Sequence, residues 1–326
     1  MPDNLPGRAV RHLDGSPDRL LSVATAAVPW FAWRTHVPAV LAGAGRAHPE
    51  LTTALGELTV WLRRADELVG AEVAGVVVDH LALAWRLLSF RPGVADRARL
   101  AAIAAEAAQL AGWQAFDGGR GELAETRYRV ALQAARIAGD DRLHAFVLGA
   151  TAQLLAAEGE PGEALALTTV AGRTAGPGAT PATAAFLAVL AADAHARIGD
   201  AASADRAFAT AESAMGLIHP VMEPPWLERF DRAELLGWRS AVMLRLGRPA
   251  AAGAAAMERL AILAPELVRQ RALALADLAA SHAARAQPGP AAEAAGAALE
   301  LGRSIGSVRV VAAVAALRAP PERSVG

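Results

Sequence analysis

The stretch LAGWQAFDGGRGELAETRYRVALQAARIAGD, Leu110–Asp140, decides how the rest of the chain is read. Alanine-rich segments lie on both sides of a glycine-rich turn at Gly119. Alanine is the best helix former and glycine punctuates helices, so the spacing predicts two helices joined by a tight turn. The arrangement returns along the chain. Gly159 lies in AEGEPGEALA, Gly199 in RIGDAASADRAF and Gly247 in RLGRPAAAG, and Gln287 takes the same place in RAQPGPAAEA. The intervals are 40, 40, 48 and 40 residues. A fixed period of about 20–50 residues is the signature of a stacked-repeat solenoid, because one helical pair cannot bury its apolar face alone.

Within the repeats, Gly112, Ala124, Tyr128 and Ala131 lie at -7, +5, +9 and +12 from Gly119. Ala164 and Ala171 recur at +5 and +12 from Gly159, and Ala204, Phe208 and Ala211 at +5, +9 and +12 from Gly199. Small residues at these places let helices approach closely, and the aromatic fills the gap. The pattern looks like the tetratricopeptide repeat, stretched beyond its usual ~34 residues. The fold class is therefore all-α: a right-handed superhelical solenoid of tetratricopeptide-like hairpins. Leu110–Asp140 is also similar to the sensor region of actinobacterial XRE-type helix-turn-helix regulators that carry C-terminal tetratricopeptide-like repeats. So are RRADELVGAEV (Arg63–Val73), PPWLERFDRAELLG (Pro224–Gly237), LGRPAAA (Leu246–Ala252) and SVRVVAAVAAL (Ser307–Leu317). The resemblance covers about residues 58–318.

In that family a DNA-binding domain precedes the sensor region. Here residues 1–57 carry five arginines, five acidic residues and six prolines. They lack both the basic footprint and the uninterrupted helices of a recognition domain, which argues against direct DNA binding. Residues 1–57 are expected to cap the stack or to mediate homodimerisation, 58–318 to form the repeat domain, and 319–326 to be a flexible tail. Five of the seven tryptophans fall in residues 1–113, which favours a packed N-terminal region.

Composition removes several chemistries. The chain has no cysteine, so it has no disulfide, thiolate nucleophile or cysteine-ligated metal. All 32 basic residues are arginine, as a GC-rich genome would also produce, so Schiff-base and P-loop lysines are excluded. Net charge is -1, which gives no global field toward nucleic acid or an acidic membrane. No segment reads as membrane-spanning, and the uncharged run from Thr174 to Ala192 is interrupted by Gly-Pro-Gly and Pro181. A cytoplasmic protein without a cofactor is expected. The eight histidines are scattered without metal-ligand spacing.

Tetratricopeptide solenoids bind ligands on the concave face, formed by the first helix of each repeat. The resemblance implies that residues at -13, -10, -6 and -3 from each turn point there. Repeat one supplies Glu106, Gln109, Trp113 and Phe116; repeat two Phe146, Gly149, Gln153 and Ala156; repeat three Phe186, Val189, Asp193 and Ala196. Repeat four supplies Glu234, Gly237, Ala241 and Leu244, and repeat five Ala274, Asp277, Ser281 and Ala284. These positions predict an aromatic, amide and acidic groove with no arginine, suited to a peptide or a cationic small molecule. The alternative for Trp113, Phe146 and Phe186 is ordinary packing between repeats.

The 48-residue interval contains EPPWLERFDRAELLG, Glu223–Gly237. Pro224-Pro225 reads as a helix start, which predicts one long helix from there to Leu246. On that helix Trp226 and Phe230 share a stripe with Glu234, Gly237, Ala241 and Leu244, and so extend the groove wall; the alternative is that they plug the junction with the preceding loop. Leu227, Leu235, Trp238, Val242 and Leu246 form the core-facing stripe. Arg229 and Arg232 are expected on the outer face. The candidate ligand-binding residues are thus Gln109, Trp113, Phe116, Gln153, Asp193, Trp226, Phe230 and Glu234. They point to a non-enzymatic sensor or adaptor that binds a peptide or small molecule and acts on a protein partner. The rival is an enzyme or biosynthetic accessory protein using Asp193 and Glu234 as acid and base.

Overall fold

The computed structural model describes residues 49–90 and 92–317, and all regular structure among them is helical. The expected roles of residues 1–48 and of 319–326 lie outside the described residues. Helices α1 (Pro49–Val69) and α2 (Ala74–Ser89) are joined by a 3-10 turn. Helix α1 runs through residue 58, where the sequence places the start of the repeat domain.

Five hairpins follow: α3 (Val94–Asp117) with α4 (Gly121–Ala138), α5 (Asp141–Ala157) with α6 (Pro161–Ala175), and α7 (Pro181–Arg197) with α8 (Ala201–Met215), then α9 (Arg232–Arg245) with α10 (Pro249–Ile262) and α11 (Val268–Ala284) with α12 (Pro288–Ser304). Helix α13 (Val308–Ala316) ends the described chain. The first helices of successive hairpins touch one another, as do the two helices within each hairpin. This is the solenoid of tetratricopeptide-like hairpins that the forty-residue period predicts.

The turns explain the period. Gly119, Gly159, Gly199 and Gly247 have φ of +70°, +95°, +80° and +69°, the left-handed region that glycine enters without steric cost. In each, the next residue's N–H reaches back to a carbonyl near the helix end, as Arg120 does to Ala115 at 2.8 Å. The fifth turn departs from expectation. Its left-handed residue is Ala286, at φ +56°, and Gln287 makes the reach-back bond to His282. The fifth repeat is therefore in register one residue earlier than the sequence alignment of turns suggests.

Small residues set the helix spacing. Tyr128 is buried between α3 and α4, and a Cβ placed on Gly112 would stand 2.5 Å from its ring carbons. Only glycine there admits an aromatic at +9, which is the sequence pattern seen in repeat one. Ala124, Ala131, Ala164, Ala171, Ala204 and Ala211 are all fully buried.

Residues 216–231 form the insertion that lengthens the fourth interval, and they are not a helix extension. Two short 3-10 turns, Pro220–Met222 and Pro225–Leu227, precede α9, which begins only at Arg232. The predicted long helix is corrected to one of 14 residues. The cause is local: the Asp231 carboxylate accepts from the Glu234 backbone N–H at 3.0 Å, a side-chain N-cap that starts the helix there.

The two ends of the solenoid meet. Helix α1 contacts α11 and the insertion, and α13 contacts α3 as well as α11 and α12. Asp66 on α1 accepts from Arg269 on α11 at 2.7 Å, and Ser307 donates to Asp117 on α3 at 3.2 Å. The concave face is therefore bordered by the first and last described helices, which narrow it to a half-open cavity. One helical stretch among the described residues, Glu50–Ser89, is long and apolar enough by composition to cross a membrane. It is interrupted at Gly70, φ +60°, and its second half packs on α3.

Candidate functional site

The meeting of the ends leaves a half-open cavity of about 840 Å³ on the concave side. All eight candidate residues, Gln109, Trp113, Phe116, Gln153, Asp193, Trp226, Phe230 and Glu234, line it. They arrive by two routes. Six project from the first helices of their hairpins. Trp226 and Phe230 come from the insertion, so they reach the wall without the helical register that the sequence assigns to them.

The aromatic wall is continuous. Phe146 and Phe186 have ring centroids 5.4 Å apart, Phe146 and Trp226 6.3 Å, and Phe186 and Phe230 6.0 Å with rings nearly perpendicular. Such tilted and edge-on pairs suit the ring quadrupoles. Phe146, Phe186 and Phe230 belong both to the core and to the cavity lining, so the two readings of these aromatics are not exclusive. Trp113 stacks near Phe116 at 5.9 Å, with the Arg309 guanidinium 4.8 Å from the Trp113 ring centroid.

The electrostatics overturn the expected arginine-free groove. Seven arginines line the cavity: Arg63, Arg197, Arg229, Arg245, Arg259, Arg269 and Arg309, against Asp66, Glu67, Asp193, Asp231, Glu234 and Asp277. The near balance removes the case for an acidic cradle. Most of these arginines sit outside the first-helix positions of the repeats. Arg63 comes from α1, Arg229 from the insertion, Arg259 from α10 and Arg309 from α13. Arg229 thus faces the cavity rather than the outer surface, whereas Arg232 pairs outside with Glu258.

Most of the charges are neutralised locally. Asp193 is bridged by Arg197 at 2.7 Å and Arg245 at 3.2 Å. Arg259 donates to Glu234 at 3.2 Å. Gly237 makes room for that arginine, since a Cβ there would lie 2.5 Å from its Nη1. Arg63 donates to Gln109 at 3.0 Å and lies 3.6 Å from Glu106. Burial lowers the pKa of Arg63 and raises that of Glu106, with each partner opposing the shift. The two carboxylates that acid–base chemistry would need, Asp193 and Glu234, are each held by arginine.

Two carboxyls are different. Burial pushes Glu67 up to about 7; the charges of Asp66 and Glu234 add to this, and Arg269 and Arg229 oppose it. Burial pushes Asp277 up to about 6, against Arg259 and Arg245. Glu67 and Arg229 have no ion-pair partner among the described residues. Buried polar atoms at the lining also lack hydrogen-bond partners, including Glu67 Oε2, Gln270 Oε1, Trp226 Nε1 and Arg229 Nε. Folded proteins rarely leave such atoms unsatisfied unless a ligand or water meets them. Sequence reasoning missed Glu67, Arg229 and Gln270. In repeat five Asp277 lines the cavity as the sequence places it, while the one-residue shift at Ala286 moves the -13 position from the buried Ala274 to Leu273, which lines the cavity; Ser281 is buried and donates to the Pro249 carbonyl at 2.7 Å.

No protein-family model matches the chain, and a comparison with curated proteins finds none that matches. Among solved structures, the crystal structure of the P58(IPK) TPR domain is similar at 15% identity, over 93% of this chain and 97% of that one, with a TM-score of 0.23. The architecture of this chain rests on its own hairpins.

Proposed function

We propose that this protein is a non-enzymatic, cytoplasmic sensor or adaptor that binds a peptide or small molecule inside its closed solenoid and passes that state to a protein partner. The observation that carries this reading is the set of unpartnered polar atoms around an aromatic-walled cavity. Such a site combines apolar contact area with a few groups that fix orientation. A ligand that touches α1, the insertion and α11 at once stabilises the closed arrangement, because binding energy adds to the native state alone. The surface presented by the joined ends then differs between free and bound protein. The sequence resemblance to sensor regions of helix-turn-helix regulators supports reading such a switch as one in transcriptional or secondary-metabolite control, exerted through another protein.

Native mass spectrometry of the purified chain, followed by thermal shift against a mixed peptide and metabolite library, tests this reading. The expected result is a bound small molecule or a compound that raises the melting temperature. A protein that carries nothing and responds to no compound argues against a ligand cavity.

A further inference from the structure

The cavity holds a carboxyl and a guanidinium with no ion-pair partner among the described residues, Glu67 on α1 and Arg229 on the insertion. Both line it, and the charge of Arg229 acts on Glu67, yet no ion pair joins them. Opposite charges in a low-dielectric interior attract strongly, so a pair left open costs stability unless something lies between. The neighbours divide by polarity. Beside Arg229, three residues along the insertion, the Trp226 indole N–H is a buried donor without an acceptor. On α11, Gln270 Oε1 is a buried acceptor without a donor among the described residues. The Asp66–Arg269 ion pair at 2.7 Å ties together the two helix segments that carry Glu67 and Gln270. Arg63 and Arg269 also carry buried nitrogens without hydrogen bonds, but both are ion-paired; among buried lining groups with neither ion pair nor hydrogen bond to the described residues, the donors lie on the insertion and the acceptors on α1 and α11.

We propose that the ligand is zwitterionic, an apolar α-amino acid or a short peptide with free ends. Its ammonium meets Glu67 and Gln270 Oε1, its carboxylate meets Arg229 and the Trp226 indole N–H, and its apolar side chains lie on the aromatic wall. This rests on the reading of the cavity as a ligand site and names the chemistry of the ligand. Charge-assisted hydrogen bonds at both ends satisfy the four unpartnered groups at once. A purely cationic ligand leaves Arg229 and Trp226 unmet, and a purely anionic one leaves Glu67 and Gln270 unmet. The raised pKa of Glu67 fits an acid waiting for a cation: a bound ammonium draws off its proton, so binding near neutral pH releases protons in the wild type.

The test uses three libraries of dipeptides with apolar side chains: free dipeptides, their N-acetyl derivatives and their C-terminal amides. Binding is read by native mass spectrometry and calorimetry on the full chain. Free dipeptides are expected to bind, and either blocking group to weaken binding at least tenfold. In Glu67→Gln the penalty for N-acetylation should shrink, and in Arg229→Gln the penalty for amidation should shrink. Circular dichroism establishes that both variants are folded, and the blocked ligands serve as the internal comparison if affinity falls generally. Equal binding of all three libraries overturns the zwitterion and leaves the cavity as a ligand site. So does failure of all three while the isolated protein carries some other molecule. Failure of all three with an empty protein overturns both.

Discussion

Asp66 and Arg269 stand 203 residues apart in the chain and form a buried ion pair of 2.7 Å. The pair does for the solenoid what no repeat-to-repeat contact does: it joins the first helix to the last hairpin. Arg269 Nε lies 3.3 Å from Asp117 Oδ2, and Arg309 Nε lies 3.3 Å from Asp117 Oδ1, so one network links α1, α3, α11 and α13. A stack of hairpins is locally stable and open-ended by nature. Here the network joins its described ends around a half-open cavity, and the insertion, pinned to α1 by Arg64–Glu228 at 2.6 Å, forms part of the wall.

Breaking this clasp should cost more than a surface ion pair. Removing one partner of a buried pair leaves an uncompensated charge, at a cost of about 3–5 kcal/mol. Asp66→Asn is expected to lose stability on that scale by urea denaturation. It should also enlarge the radius of gyration in small-angle scattering, because the contact between the ends is lost while the hairpins survive. An unchanged radius with full loss of stability would mean that the ends stay joined by packing alone.

The fifth turn gives a stabilising substitution. Ala286 occupies the left-handed region at φ +56°, which costs a residue with a Cβ about 1–2 kcal/mol. Glycine fills the corresponding place in the other four turns. Ala286→Gly relieves that strain but adds freedom to the unfolded chain, so a net gain of about 0.5–1 kcal/mol is expected. Thermal denaturation of the two proteins side by side decides the sign.

These features also show what was legible in the sequence. The period, the turn glycines and the small residues facing Tyr128 follow from steric rules that act over a few residues, and all were readable. The first-helix positions found the aromatic wall for the same reason. What escaped was everything set by closure: Glu67, Arg229, Arg269 and Arg309 enter the cavity because the ends meet, and a repeat pattern carries no information on superhelical pitch. The insertion failed differently. Pro224-Pro225 does start a helical turn, but the Asp231 cap six residues after Pro225 starts α9, so the stretch holds two competing start signals.

Glu67 predicts a pH signature. Its folded-state pKa of about 7 lies above the ordinary carboxylate value of 4.5. Between those values the folded chain keeps a proton that the unfolded chain has lost, so stability falls as pH rises through the window. Asp66, Glu234, Arg229 and Arg269 face it, and burial outweighs their combined effect. Glu67→Gln keeps the shape and removes the titration. The variant is expected to melt above the wild type at about pH 8 and to converge with it near pH 4. A constant difference between the two proteins across that range would assign the effect to packing.

Trp226 and Trp113 separate binding from folding. Trp226 stands on the insertion, half-buried, with its indole N–H unpartnered and its ring 6.3 Å from Phe146. Trp113 packs against Leu110 and its neighbours and lies under Arg309, a member of the clasp. A tryptophan at the centre of a recognition site contributes about 2 kcal/mol or more, equivalent to a loss of roughly thirtyfold in affinity on truncation. Trp226→Ala should lose affinity on that scale for any ligand that the cavity takes. Its melting temperature should fall less than for a fully buried tryptophan, whose removal costs about 3–5 kcal/mol. Trp113→Ala should lower both quantities, because it strips the ring from beneath Arg309 and opens the wall at α3. Unchanged affinity in Trp226→Ala with a large drop in melting temperature would make the insertion a structural plug. The same drop with lost affinity in Trp113→Ala would show that closing the solenoid and holding the ligand draw on the same contacts.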